Sequence, residues 1–288
     1  MVSSLQLALL SNLKCSSSKD ATILWEACKV KVPYCKSIVS PSCDCAILSV
    51  LSHNWTSIPK SVGDMTALKM LQMERGPLAN ASGLTKLPSL KVLYLKFNKL
   101  ESVPEALGSV NLIQLNLAFN RLKKLPDSMW TNIYMKKLDL SNNFLSTIPL
   151  EIAFAESLGT LRISNNSFQA IPAVVFTMKS LQNLYLDGNN ITYVGEEIGN
   201  LKELADLTLH NNVQIRSIPS AIGAIRRLDY FDIRNNTIAA LPEEIANLPL
   251  RIGLYLSNNP ICSNGWLDKS ANLGVKAAAE KMPGAGCN

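Results

Sequence analysis

Three tyrosines and three aspartates recur through the C-terminal half of the chain, at Tyr185, Asp187, Asp206, Tyr230, Asp232 and Tyr255, with His210 and Arg234 among them. Carboxylates beside phenols and a guanidinium are suited to binding: they hold ammonium and guanidinium groups, and the rings supply contact area. A ligand carrying basic groups fits this set. A second set combines the cations Arg75 and Lys96 with the rings Tyr94, Phe97 and Phe119. The plainer alternative is that all of these are ordinary solvated positions, with Phe97 and Phe119 tucked against each other in adjacent turns.

Catalytic chemistry has little to work with. The only histidines, His53 and His210, lie far apart in the chain, and no nucleophile can be paired with either by near neighbours. No phosphate-binding loop, G-x-S-x-G elbow or kinase signature occurs. His210 beside Asp187 and Asp206 has donor types that a metal would accept, but a surface ion cluster is the simpler expectation. No metal, no cofactor and no enzymatic activity are therefore expected.

The stride that carries these residues is set by asparagine, which returns every 22 to 24 residues at Asn98, Asn120, Asn143, Asn166, Asn189, Asn212, Asn236 and Asn259. Leucines precede it at fixed offsets, as in Leu90, Leu93, Leu95, Asn98, Leu100 and in Leu204, Leu207, Leu209, Asn212. One structural unit is being copied along the chain. A proline often follows six residues after the asparagine, and that offset from Pro59 puts His53 in the asparagine slot of an earlier unit. A further unit has Leu68, Leu71, Met73 and Leu78 around Gly76. One extra residue before Ile215 predicts a bulged loop after Asn212.

Within each unit a short apolar alternation, such as Leu184, Tyr185, Leu186, is the period-two signature of a half-buried strand. The residue between the leucines then points outward: Ser49, Gln72, Tyr94, Asn116, Asp139, Arg162, Tyr185, Thr208, Asp232, Tyr255. The asparagine amide can satisfy backbone groups that the sharp turn after the strand leaves unpaired. The return half is spaced by three, as in Ile222, Ile225 and Leu228 after Pro219, which suits 3₁₀ or very short α-helical turns. Gly63, Gly108, Gly199 and Gly223 are expected near the ends of such turns.

This pattern resembles leucine-rich repeat proteins. The resemblance implies an α/β solenoid of about ten repeats, a horseshoe with a parallel β-sheet on its concave face and 3₁₀ or α turns on its convex face. No nucleic-acid partner is expected, because the net charge of +6 comes from scattered basic pairs. No apolar run reaches the length of a membrane span. Leu5 to Leu13 is apolar but interrupted, so it reads as a poor signal peptide or the start of a fragment. The abrupt end after Cys287 suggests that more sequence follows in a complete product.

All seven cysteines lie outside the regular repeats or at their edge. Cysteine is otherwise at home in a core, so this partition argues for disulfides and an oxidising compartment. Three parts follow: a cysteine-containing N-terminal cap over 1–45, the solenoid over 46–261 and a disulfide cap over 262–288. Cys262 should pair with Cys287, closing a loop worth roughly 3.5 kcal/mol in the chain-entropy model, with a short helix between Trp266 and Met282. Cys43 and Cys45 should reach Cys28 and Cys35 in one of two connectivities, leaving Cys15 as a free thiol or a partner for residues further upstream. Five N-x-S/T sequons, at Asn54, Asn80, Asn165, Asn190 and Asn235, permit glycosylation; chance alone supplies about as many in this composition.

The front segment, Leu24, Trp25, Glu26, Ala27, Cys28, then Lys31, Val32, Pro33, Tyr34, Cys35, then Pro41, Ser42, Cys43, Asp44, Cys45, resembles the lead-in of leucine-rich repeat membrane proteins of oomycetes. That resemblance implies an extracellular or cell-surface role in recognising a protein or peptide on the concave face. The alternative is a cytosolic scaffold for a small GTPase or a signalling enzyme, with all thiols free.

Overall fold

The computed structural model describes residues 13–15, 47–58, 60–63, 65–104, 107, 110–130, 134–265, 276–277 and 286–287. Cys28, Cys35, Cys43 and Cys45, Gly108 and most of the expected Trp266 to Met282 helix lie outside them.

The repeats form one open sheet with strands in chain order: β1 (Leu13–Cys15), β2 (Ile47–Leu51), β3 (Met70–Glu74), β4 (Val92–Tyr94), β5 (Gln114–Asn116), β6 (Lys137–Asp139), β7 (Thr160–Arg162), β8 (Asn183–Tyr185), β9 (Asp206–Thr208), β10 (Tyr230–Asp232) and β11 (Gly253–Tyr255). From β2 to β11 every neighbour is parallel, and the register joins the central leucines Leu93, Leu115, Leu138, Leu161, Leu184 and Leu207 into one row. These leucines are almost completely buried. No coil could bury its own row, so each coil depends on its neighbours for stability.

The return half of most coils is a 3₁₀ turn, for instance Leu150–Phe154, Glu196–Asn200 and Ser220–Ala224. The spacing of three explains the choice. Ile222, Ile225 and Leu228 each donate an amide three residues back, and all three side chains are fully buried. Gly199 and Gly223 sit inside these turns rather than after them. A side chain at either would press on a backbone oxygen of the next turn, at 2.8 Å in both cases, so these glycines let adjacent coils approach.

The asparagine ladder runs through the interior. Asn143 donates to Leu140 O in its own coil and Leu117 O in the preceding one, and its Oδ1 accepts from Leu122 N. The same three bonds recur at Asn98, Asn120 and Asn259. The expected bulge alters one rung. Ile215 N turns back to Asn212 O at 2.9 Å, and Asn236 Oδ1, which would have received an amide from that loop, is left without a partner.

In the earliest repeats the ladder changes residue type. His53 occupies the asparagine slot and is buried. Any Cβ at Gly76, the next slot, would run into the His53 ring. The two departures from asparagine are therefore one adaptation: the glycine makes room for the imidazole.

Both sheet edges are covered. β1 pairs antiparallel with β2, Leu13 opposite Val50 and Cys15 opposite Leu48, an element the repeat pattern does not reveal. At the other end Gly286 bridges to Tyr255 and exchanges hydrogen bonds with Leu254 and Leu256, and Cys262 is disulfide-bonded to Cys287. Such cover pairs outer backbone groups of β2 and β11 that would otherwise face solvent.

Candidate functional site

The outward residue of each strand lies in one register, from Ser49 and Gln72 through Tyr94, Asn116, Asp139, Arg162, Tyr185, Thr208 and Asp232 to Tyr255. These side chains stand on the solvent face of the sheet because the pleat sends alternate residues to opposite sides. Between Tyr94 and Tyr185 they line a polar trough of about 480 Å³ whose walls include Gln114, Lys137, Asp139, Thr160, Arg162 and Asn183.

The C-terminal set assembles around two carboxylates. Asp232 is fully buried; Arg234 holds it through Nε and Nη2, at 2.9 and 2.6 Å, and the Tyr230 hydroxyl donates to it. Asp187 accepts from Ser164 Oγ and Thr208 Oγ1, both at 2.7 Å. His210 lies between these acids, 3.6 Å from Asp187 and 3.4 Å from Asp232. Its second acid is therefore Asp232, and the expected partner Asp206 belongs elsewhere. Among the described residues, no three His, Cys, Asp or Glu side chains converge as a metal-binding group.

Asp206 sits one row along, accepting from the Tyr185 hydroxyl at 3.4 Å. Burial raises its carboxyl above the usual carboxylate range, with the tyrosine hydrogen bond opposing. Burial likewise raises the Tyr185 phenol, while Tyr230 is pushed up to about 12 by burial and by the negative charge of Asp232. Tyr230 and Tyr255 are tilted rings 5.1 Å apart, with Arg234 over Tyr255. Asp232 thus lies beneath this surface, already neutralised, whereas Asp206 beside Tyr185 and Asp139 on the trough wall remain half-exposed.

The N-terminal set also assembles. Phe97 and Phe119 stack with centroids 4.2 Å apart, Arg75 and Lys96 lie over Phe97 at 5.4 and 5.9 Å, and Lys96 pairs with buried Glu74. Tyr94 donates to Gln114 at 2.6 Å and forms one end of the trough.

Residues 156–213 and 134–154 match two leucine rich repeat families. The chain is a leucine-rich repeat protein. Its solenoid is similar to the plant peptide hormone receptor RGFR1 in complex with RGF2, with TM-score 0.65 and 23% identity, over 75% of this chain and 36% of that one. It is also similar to the Arabidopsis receptor kinase HAESA in complex with the peptide hormone IDA and the co-receptor SERK1, with TM-score 0.67 and 22% identity, over 89% of this chain and 46% of that one. This leucine-rich repeat chain therefore spans less than half of either structure, and the likeness is one of fold. No curated protein matches the sequence.

Three residues of this leucine-rich repeat face escape a search for aromatic and acidic clusters. Arg162 lies 4.0 Å over the Tyr185 ring, and Ser164 and Thr208 hold Asp187. Arg162 and Thr208 are in the outward row and could have been found from it; Ser164, two residues past that row, carries no signal of its own.

Proposed function

We propose that this leucine-rich repeat domain is a non-catalytic recognition module that binds a protein or peptide along the concave sheet, as the extracellular part of a receptor-like or secreted protein. The observation that carries the reading is the open polar trough that ends at Tyr185, whose hydroxyl donates to the half-buried Asp206 just beyond it. A carboxylate in a cleft whose burial disfavours its charge marks a candidate binding position, and a basic group on a ligand would relieve that penalty. RGFR1 and HAESA, whose fold this chain shares, were solved with peptide hormones on them, which supports a peptide as the ligand. The Cys262–Cys287 crosslink supports an oxidising compartment. Among the described residues, no helix is long and apolar enough to cross a membrane.

The test has two arms. Mass analysis of native protein without reductant should find Cys262 and Cys287 crosslinked; seven free thiols would instead place the chain among cytosolic scaffolds. A synthetic peptide of lysine and arginine should bind the intact protein, and Asp206→Ala should weaken it severalfold. Asp232→Ala is a poor substitute, because it strands Arg234 and disturbs the fold around it.

A further inference from the structure

The chain is electrically lopsided. Residues 60–137 carry 12 lysines and arginines against 5 acids, whereas residues 138–265 carry 8 against 12. The imbalance reaches the inner wall. Lys69, Lys136 and Lys137 stand exposed at the entering edge of their strands, and among the described residues none of them makes an ion pair. Arg75 and Lys96 stand at the leaving edge. At the other end, Asp139 and exposed Arg162 stand on the trough wall, and the half-buried Asp206 lies just beyond Tyr185.

Backbone strain marks the same basic end. The residue just before each ladder position is left-handed in ten successive coils, with φ between 53° and 66°. In six coils that residue is asparagine or glycine, which tolerate the conformation, and in the first it is the small residue Ser52. In three consecutive coils it is Arg75, Phe97 and Phe119, for which a positive φ is a genuine outlier. These three side chains stand on one another in the open, Phe97 36% and Phe119 44% exposed. Strain kept in order to present bulky rings and a guanidinium to solvent is the kind that accompanies a binding surface.

We propose that this strained stack and the neighbouring lysines bind an acidic, aromatic-containing stretch of the ligand, so that the ligand lies along the trough in one direction only, its acidic part over β3 to β6 and its basic part at Asp206. The proposal rests on the concave-face reading above. From the stack at β4 and β5 to Asp206 on β9 is four to five strand steps, about 22 Å, which about seven residues of extended chain would bridge.

Intact protein is titrated, by fluorescence anisotropy, with three synthetic peptides. One is a basic block alone. The second joins that block through seven neutral residues to an acidic block containing tryptophan, and the third uses only two neutral residues. The long-spacer peptide should bind at least about tenfold tighter than the basic block, and the short-spacer peptide should lose most of that gain. A photocrosslinker in the acidic block should label residues between 69 and 137. Phe97→Asn with Phe119→Asn should abolish the gain while holding or raising the melting temperature, since asparagine is what other coils use there. A stack that only braces the coils would instead lower the melting temperature and leave the gain intact, which overturns the proposal. If the basic block binds through Asp206 and the acidic block adds nothing, polarity alone falls. If the basic block fails to bind, the concave-face reading falls and takes this proposal with it.

Discussion

Two positions that are neighbours in every coil behave in opposite ways. The ladder position is buried in nearly every coil, and from Asn98 onward it is always asparagine. The position before it is left-handed and mostly open to solvent, and is filled by asparagine, glycine, serine, arginine or phenylalanine. At the first, a side chain must give to two carbonyls and receive one amide inside the coil, and only a primary amide of that length does both. At the second, the fold demands a backbone conformation and nothing of the side chain. A demand on chemistry leaves one answer; a demand on conformation leaves room that function can occupy.

The largest expected effect comes from breaking the inner position. Asn143→Ala leaves Leu122 N unpaired and takes one of two asparagine donors from each of Leu117 O and Leu140 O, which Asn120 and Asn166 still serve. At about 1 to 3 kcal/mol for the stranded amide plus the weakened carbonyl bonds, it should lower stability by roughly 3 kcal/mol. Asn142→Ala, one residue away, should cost about 1 kcal/mol, the left-handed penalty. Asn236→Ala should fall between them, because its Oδ1 has no partner to lose. Urea unfolding of the three variants gives the ranking, and equal losses at 142 and 143 would erase the distinction between the two positions.

A smaller effect tests whether the ladder's exception obeys the same logic. Gly76→Asn alone should destabilise by about 1 to 3 kcal/mol, because its side chain collides with the His53 ring. His53→Asn made together with it should restore most of the loss by rebuilding two ordinary rungs. Additive losses would show that the pair is not one adaptation. The histidine also leaves a pH signature. Burial lowers its pKa below 6.5, with the nearby Trp55 backbone opposing. The unfolded chain then takes up a proton that the folded one resists, so stability should fall as pH drops through about 6.5 and below. The double variant should lack that slope.

The inner position is also what made the fold legible. Asparagine and leucine recur because hydrogen bonding and burial admit few substitutes, so the outward row could be written down strand by strand and the sheet register reproduces it. Even His53 could be placed, by its distance from a proline. What stayed hidden depends on contacts between coils. Asp232 looks like a surface acid at its outward position, yet Arg234 and Tyr230 close over it; nothing in the spacing says which way an arginine two residues on will fold. The glycines inside the 3₁₀ turns are explained by the next turn, not by their own. β1 lies before the repeats begin and obeys no periodicity at all.

The smallest effect is the most informative about the outer wall. Asp206 is pushed toward its neutral form by burial, so at neutral pH the folded state bears a charge its surroundings disfavour. As pH falls, the folded protein takes up this proton before the unfolded chain does, and the wild type recovers that deficit on the way down toward 3.8. Asp206→Asn removes the charge and keeps an acceptor for the Tyr185 hydroxyl. It should therefore be slightly more stable than wild type near pH 7, by about 0.5 kcal/mol or less, and the advantage should shrink on acidification. The same variant should bind a basic peptide more weakly at every pH where the wild-type carboxyl is ionised. A variant that is both less stable and equally good at binding would mean that Asp206 serves the coil, as the ladder asparagines do, rather than a ligand.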